Sequence, residues 1–460
     1  MRVVIFGAGK MFQIVKKNIK KEIEIVAFLD NDTTKWGDQL DNIPILAPHQ
    51  VIELEYDYIF LLSNYYLDMR LQLRSLRIPE EKVFDLNHME KIRMPEPVQC
   101  YGEVLEETKK KKIVIFSHAL SSTGAQNVLY IAASVLQQKG YSLIVVSRTD
   151  GELKERFLKQ KIPIIIMRDI FLGQEKLNEL VDWADVVFVN TLWLDYVVEE
   201  LQGFGKKIIW WIHETGALQY LSDSLFSHIT EMGGTSIYAV SPLVKRKIIQ
   251  KYEESPYLYE LLYGLPRYYA EKVSLPNEKK IFAIIGGIAR IKGQDIFVKA
   301  VEQLPELYKN KAEFWIIGGG KLGEEEEHII EKNPLIKVKG KIENQKMPEI
   351  YKQIDIVVCC SREDAMPVAV TEGCMNGKIA IVSDATGIAE YVVNGQNGFI
   401  FQNENIGQLI EIIKEILDQE ERAKQIGEAS KEIYEKYFSM EVFERNLVRV
   451  IEDSIVESID

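Results

Sequence analysis

Short apolar runs recur along the whole chain, each separated from the next by a stretch with apolar residues at helical spacing, and this alternation leaves few folds open. Runs such as "RVVIF", "KIVIF", "DVVFV", "KIIWWI", "IFAII" and "DIVVCC" carry almost no polar residue on either face. A strand buried on both sides belongs to a parallel sheet covered by helices. The expected fold class is therefore α/β. At 460 residues the chain exceeds what one core holds, and about 150 residues per domain suggests three units.

The runs fall into three blocks. Residues 1–100 hold "RVVIFGAG", "IEIVAFLDND" and "YDYIFLLS", and a Pro- and charge-rich stretch fades into a linker at 101–111. Residues 112–270 restart with "KIVIFSHALSSTGAQNVLYIAASVLQQKGYSLIVVS" and continue through "ADVVFVN", "KKIIWWIHE" and "SIYAVS". Residues 271–440 hold "KKIFAIIGGIARIKGQD", "EFWIIGGG", "IKVKG", "IDIVVCCS" and "KIAIVS", and then helical sequence in which Ile406, Leu409, Ile410, Ile413 and Leu417 share a face. Residues 441–460 form a last amphipathic helix. Ligands of open α/β sheets sit beyond the carboxyl ends of strands, so two consecutive blocks with glycine-bearing front loops imply two facing sheets with a cleft between them.

Composition narrows the function. A net charge of −13 and a pI near 5.3 argue against a nucleic-acid partner, which calls for a basic excess or patch. Cys100, Cys359, Cys360 and Cys374 show no C-x-x-C or zinc-like spacing, and Cys359 and Cys360 lie in an apolar strand as buried thiols. No apolar stretch reaches the roughly 20 residues that span a bilayer, and the opening residues form a strand and glycine turn rather than a leader. The expected location is the cytoplasm, with the inner face of the membrane as a second place.

Two loops of the third block carry chemistry. In "GGIARIKGQD", glycines including Gly287 let the backbone approach a ligand, Arg290 and Lys292 neutralise an anion, and the helix beginning near Gln294 offers free N–H groups. In "SREDAMPVAVTEG", Pro367 suits a first helical turn and Gly377 the position past its end, which predicts a helix from about Pro367 to Asn376. Asp364 then reads either as an acid capping that helix or as a ligand group. Glu372 reads either as a solvated acid or as an acceptor for two neighbouring ribose hydroxyls. The free N–H groups at the start of the helix, around Met366, Pro367 and Val368, face phosphates in the second reading.

These residues carry a resemblance. "SREDAMPVAVTEGCMNGKIAIVSDATGIAEYVVNGQNGF", with "GGIARIKGQDIFVKAV", "FWIIGGG" and "IYKQIDIVVCCS" before it, resembles the donor-binding domain of the glycogen-synthase-like retaining glycosyltransferases of family four, which have the GT-B fold. The likeness runs from about residue 112 to 440 and includes "HALSSTGAQNVL", with Ser122, Thr123 and Gly124 in the acceptor-side loop. The family pairs two glutamates with seven residues between them; here Asp364 and Glu372 occupy the positions, with Glu363 adjacent. By resemblance Glu372 binds the ribose, and Asp364 or Glu363 the donor sugar. The family commonly has an arginine where this chain has Gly287; Lys292 matches the family's lysine, and Arg290 supplies a second charge out of register. His213 ends "KKIIWWIH" at a position where the family often places a histidine near the sugar and diphosphate. Trp210 and Trp211 read as core, whereas Trp193 is the better aromatic for the cleft.

The resemblance implies a transferase that moves a sugar from a nucleotide diphosphate, with a UDP-sugar as expected donor, to a glycan or lipid-linked acceptor with retention of configuration, as in bacterial surface polysaccharide synthesis. His213, Asp364 and Lys292 are the expected catalytic residues. No Asp-x-Asp or His-rich cluster falls in the right place, so neither metal nor cofactor is expected. A degenerate scaffold subunit and a sugar-nucleotide epimerase are the alternatives.

At the front, Gly7 and Gly9 match the first two glycines of a dinucleotide fingerprint, Phe12 stands in the third position, and Asp30 ends the second strand. This resembles the small Rossmann-like domains of sugar-nucleotide-modifying proteins. Ligand binding or docking of a protein partner is the expected role. The basic runs "KKNIKK" and "KKKK" read as solvated faces, with contact to an anionic membrane as the minor alternative.

Overall fold

The computed structural model describes residues 1–16, 19–63, 65–85, 88, 91–92, 97–103, 111–168, 170, 174–221, 226, 234–252, 255–268, 279–320 and 333–456. Lys17, Asn18, Lys109 and Lys110 of the two basic runs, and most of the linker, lie outside the described residues. Two compact units emerge: residues 1–102 with 146–150 and 163–183, and residues 103–145, 151–162 and 184–460.

The first unit is built on a six-stranded sheet in the order Gln39–Leu40, Ile43–Leu46, Glu24–Leu29, Arg2–Phe6, Tyr58–Leu61, Val83–Phe84. All its pairings are parallel except that of Gln39–Leu40. The period-two alternation of strands divides its apolar residues between two cores. Val3, Ile5, Phe28 and Phe60 fill one face, and Val4, Phe6, Leu29 and Leu61 the other.

The second unit contains two parallel arrays. In one, Leu258–Glu260, Thr235–Ala239, Lys207–Ile212, Val186–Asn190 and Lys112–Ser117 lie side by side, with residues 142–145 beyond Lys112–Ser117. The other is six-stranded, in the order Ile336–Gly340, Ala312–Ile317, Lys280–Ile285, Ile356–Cys359, Ile379–Ser383, Phe399–Phe401. In each array the first strand in sequence sits inside the sheet with later strands on both sides. The winding direction therefore reverses there, and the connections on the two sides diverge to leave a crevice. The crevice of the six-stranded array opens between Lys280–Ile285 and Ile356–Cys359, the strands that precede the two chemistry-bearing loops.

Trp210 and Trp211 are fully buried, and Cys359 and Cys360 are buried, in line with the reading of the sequence; Cys374 is buried too, while Cys100 is exposed. The helical run after residue 405 forms two helices, Ile406–Asp418 and Glu420–Ile433, because Gln419 leaves the helical conformation. Leu409, Ile413 and Leu417 are buried as the spacing requires, and Ile406 and Ile410 pack at the edge of the same core. The last helix, Met440–Val456, returns to the other array of its unit. Phe443 stacks on Trp211 with ring centroids 6.1 Å apart, and Glu444 meets Lys139 at 2.7 Å. Among the described residues no helix is long and apolar enough to cross a membrane.

Candidate functional site

The strand Lys280–Ile285 ends in Gly286 and Gly287, which lie against Gly318–Gly320. A Cβ on Gly318 would stand 1.7 Å from the Gly286 carbonyl oxygen, so this approach of two loops admits only glycine there. The chain makes a tight turn over Arg290–Lys292 and enters the helix Gln294–Gln303 through Gly293. Gly293 has φ of 71°, and a Cβ on it would meet the Cys360 carbonyl oxygen at 2.0 Å. The loop therefore sits directly on the end of the neighbouring strand, and Lys292 is delivered to the residues that follow Cys360.

There its ammonium meets Asp364 Oδ2 at 2.6 Å. Burial works against the charged ammonium, but the Asp364 carboxylate outweighs it and holds the lysine above its ordinary value. An ammonium has three protons, and among the described residues Asp364 alone engages it, which leaves two for a ligand. The loop is clamped from below by Arg362. Its guanidinium grips the buried Asp295 through two hydrogen bonds of 2.9 and 2.8 Å and reaches Glu404 at 2.6 Å, and its backbone N–H donates to the Ile291 carbonyl at 2.8 Å. Gly287 is exposed and its carbonyl accepts from the Gln294 amide at 3.0 Å, and Arg290 is exposed as well.

The second loop folds around Asp364, whose backbone pairs with Thr386 and accepts from Gly387 N–H at 2.9 Å. The following helix runs from Val368 to Met375, with Pro367 as the N-cap residue rather than in the first turn. Asp364 is therefore no cap: it lies three residues before the N-cap and pairs with Lys292. Met366 and Pro367 are buried. A Cβ on Gly124, the first residue of the helix Gly124–Gln138, would contact the Val368 side chain at 4.0 Å. The starts of these two helices thus face each other within the unit, and unpaired N–H groups at helix starts attract anions. Glu372 is no solvated acid. It is half-buried, accepts from or donates to the Tyr351 hydroxyl at 2.9 Å, and has its carboxyl pushed up to about 7 by burial, against the lowering effect of that hydrogen bond. Glu363 points to the opposite array and accepts from Lys247 at 2.7 Å.

Three strand ends of that array supply the other wall. The His213 ring is tilted against Trp211, with ring centroids 4.5 Å apart, and its Nε2 is buried without a partner among the described residues. Burial, reinforced by nearby His118, lowers its value to about 3, so the ring is neutral at physiological pH. Glu214 accepts from the backbone N–H groups of Leu192 at 2.8 Å and His213 at 3.1 Å, yet burial still raises its carboxyl to about 7. In the front loop, Ser122 Oγ accepts from Asn344 Nδ2 at 3.2 Å, and Thr123 bonds to Gln126. Trp193 is half-buried.

Several residues here escape a reading by motif: Arg362, Lys247, Tyr351, His118 and Thr191. Only a position after a strand end signals His118, Thr191 and Arg362, and nothing local signals Lys247 and Tyr351, which lie within the helices Pro242–Tyr252 and Met347–Gln353. Thr191 follows the strand Val186–Asn190 with φ of 83°, a conformation that costs a β-branched residue about 1–3 kcal/mol. It is held by its N–H to the Trp211 carbonyl at 2.8 Å, by its carbonyl to the Trp210 indole at 2.9 Å, and by Oγ1 to His118 Nδ1 at 3.0 Å. The usual order of glycine and alanine reverses here: Thr191→Gly melts higher than Thr191→Ala by about 1–2 kcal/mol of stability in matched denaturation curves.

In the first unit, Gly7 has φ of 117°, and Asp30 Oδ2 accepts from Ala8 N–H at 3.1 Å and from Lys35 at 3.0 Å. Gly9 precedes the short helix Lys10–Val15. The turn and the acid are thus adjacent, with Asp30 already engaged by the protein. Among the described residues no three of His, Cys, Asp and Glu gather closely enough to hold a metal ion.

Comparison with solved structures places this arrangement. HepE of Anabaena, in complex with UDP and glucose, superposes with a TM-score of 0.64 at 18% identity, over 75% of this chain and 100% of that one. The sucrose-phosphate synthase of Thermosynechococcus elongatus gives 0.63 at 15%, over 76% and 100%. The fold is GT-B. In sequence, residues 268–433 match the family described as glycosyl transferases group 1, residues 109–233 match glycosyl-transferase family 4, and residues 1–84 match a C2185-like N-terminal domain. A glycosyltransferase of Methanocaldococcus jannaschii, itself uncharacterized, is 29% identical over 171 residues, which is 37% of this chain and 47% of that protein. A sulfoquinovosyl transferase of Arabidopsis thaliana is 24% identical over 180 residues, 37% of this chain and 34% of that one. The match thus spans less than half the length of either relative. Lys292, Asp364 and Glu372 of this GT-B chain all fall within the group 1 stretch, and His118, Thr191 and His213 within the family-4 stretch.

Proposed function

We propose that the chain is a glycosyltransferase that moves a sugar from a nucleoside-diphosphate sugar, a UDP-sugar in the first instance, to a hydroxyl of a glycan or lipid-linked acceptor with retention of configuration. The observation that carries the reading is the grouping of Lys292 on Asp364, the start of the helix Val368–Met375, and Glu372 on that same helix. A diphosphate at the helix start meets N–H groups and the two free protons of the Lys292 ammonium. Glu372 lies one turn further along, where a ribose follows its phosphates. The sugar then projects toward Asp364, Glu363 and the neutral His213.

The mechanism follows from where charge develops. As the bond from the sugar's anomeric carbon to the diphosphate breaks, negative charge grows on the departing phosphate, and fixed donors in a water-poor site stabilise it without reorganising. Lys292 is fixed by Asp364, and the loop that carries it by the Arg362–Asp295 pair. The acceptor oxygen bonds to the anomeric carbon on the face the phosphate leaves, and its proton passes to the departing phosphate oxygen, which balances the step. His213, uncharged, offers Nε2 to a sugar hydroxyl. In this reading the cations and helix N–H groups carry the phosphate charge, and no metal ion takes part. Activity is therefore unchanged by EDTA.

Support for the donor class comes from the likeness to HepE, which was captured with UDP and glucose, and from the group 1 match. Bacterial surface glycans are the proposed setting. The test is proton NMR of the product formed from an α-linked donor: an α-anomeric signal on the transferred sugar, with equal rates in EDTA, is expected. A β-anomeric signal, or activity that needs a divalent ion, contradicts the mechanism.

A further inference from the structure

The neighbour of Glu372 in this site is a phenol with more to do than fill the core. Tyr351, in the helix Met347–Gln353, is fully buried, and its hydroxyl lies 2.8 Å from the Ala369 carbonyl oxygen and 2.9 Å from Glu372 Oε2. A phenol has one hydrogen to give. When Glu372 is ionised, that hydrogen goes to Oε2. When Glu372 is protonated, the phenol gives its hydrogen to the Ala369 carbonyl and accepts the carboxyl proton instead. The pairing therefore survives both charge states, and in each it consumes Oε2 and leaves Oε1 without a partner among the described residues.

We propose that Tyr351 is a positioning residue: by pinning Oε2 it fixes the side chain of Glu372 so that Oε1 is presented to the hydroxyls of a ribose. The proposal rests on the reading of Glu372 as a ribose ligand. A second phenol supports it. Tyr268 packs against Tyr351 with ring centroids 6.3 Å apart, and its buried hydroxyl has no partner among the described residues, so a polar ligand beside Glu372 would satisfy it. A carboxylate held at one oxygen loses little rotational freedom on meeting a sugar, which is the advantage of a preorganised site.

The experiment compares binding of UDP, GDP and ADP with binding of their 2′-deoxy counterparts by calorimetry, in the intact chain and in Glu372→Gln and Tyr351→Phe. The intact protein prefers the ribonucleotide by about tenfold or more, the size of a lost hydrogen bond to a charged group. Glu372→Gln removes most of that preference. Tyr351→Phe cuts it to about threefold or less, because an unpinned carboxylate no longer meets the ribose squarely. If Tyr351→Phe weakens both nucleotides equally and keeps the preference while Glu372→Gln loses it, Tyr351 is merely structural and the proposal is overturned. If Glu372→Gln keeps the preference, or none of the three nucleotides binds, the ribose reading itself fails.

Should Tyr351→Phe not fold, 3-fluorotyrosine at position 351 preserves the shape and makes the phenol a stronger donor. The pH midpoint of nucleotide binding then moves down, and an unmoved midpoint overturns the proposal. Among the described residues, the titratable groups around Glu372 are Tyr351, Tyr268, Tyr263 and Cys374. All four are held above their ordinary values by burial, which leaves Glu372 as the group that titrates near neutral pH.

Discussion

Replacing Glu372 with glutamine lowers kcat/KM for the donor by roughly 30- to 1,000-fold, the equivalent of about 2–4 kcal/mol for hydrogen bonds to a charged acceptor, and most of the loss is in KM. Glutamine keeps the size of the side chain and can still accept from Tyr351, so the fold is retained and the change reads the ribose contact. The pH dependence has a definite sign. Burial raises the Glu372 carboxyl to about 7, so the protonated form predominates below that value and the ionised form above it. Hydroxyl donors favour the ionised form. Donor affinity of the unaltered protein therefore climbs as pH rises from about 6 to about 8, and that of the glutamine variant stays flat. Initial-rate kinetics across that range check both statements.

Replacing Lys292 with methionine reduces kcat by about 100- to 1,000-fold while KM changes far less, because the ammonium acts on charge that appears as the phosphate departs. The substitution also strands Asp364, whose carboxylate Lys292 meets at 2.6 Å. Lys292→Met combined with Asp364→Asn is consequently no less active than Lys292→Met alone, since the two residues act as one unit. Lys292→Arg keeps the charge but not the point contact, and recovers only part of the rate. Single-turnover measurements with a labelled donor separate this effect from binding.

Much of the architecture is legible in the residues alone, for a physical reason. Strands buried on both faces have to be apolar throughout, so "IFAII" and "DIVVCC" declare a parallel sheet without help from the rest of the chain. The glycine turn before Gln294 is equally open to reading, since at Gly293 any side chain would strike the Cys360 carbonyl. The placement of Lys292 after a strand end and of Glu372 within the helix Val368–Met375 follows from their spacing in the sequence.

Other features depend on contacts between distant segments, and no local pattern reports them. Asp364 looks like a helix cap on its own segment, and only the crevice between the two strands reveals that it faces a lysine 72 residues earlier. Arg362 has the same history: its partner Asp295 lies 67 residues away in sequence. Thr191 is invisible for another reason. Its strained backbone is imposed by the indole of Trp210 and the carbonyl of Trp211, and threonine carries no mark of a positive φ. Pro367 shows the limit at short range, since its fixed φ suits the N-cap as well as the first turn.

The central claim is that the cleft releases a nucleotide by transferring its sugar. Purified protein is incubated separately with UDP-, GDP- and ADP-sugars, with and without a crude glycolipid extract, and free nucleotide is followed over time. The account predicts slow release from one donor class, marked acceleration by the extract, and a steep fall of both in Glu372→Gln at donor concentrations below its KM. A nucleotide that binds but is never released, from any donor with any extract, would contradict it and leave a binding subunit in place of an enzyme.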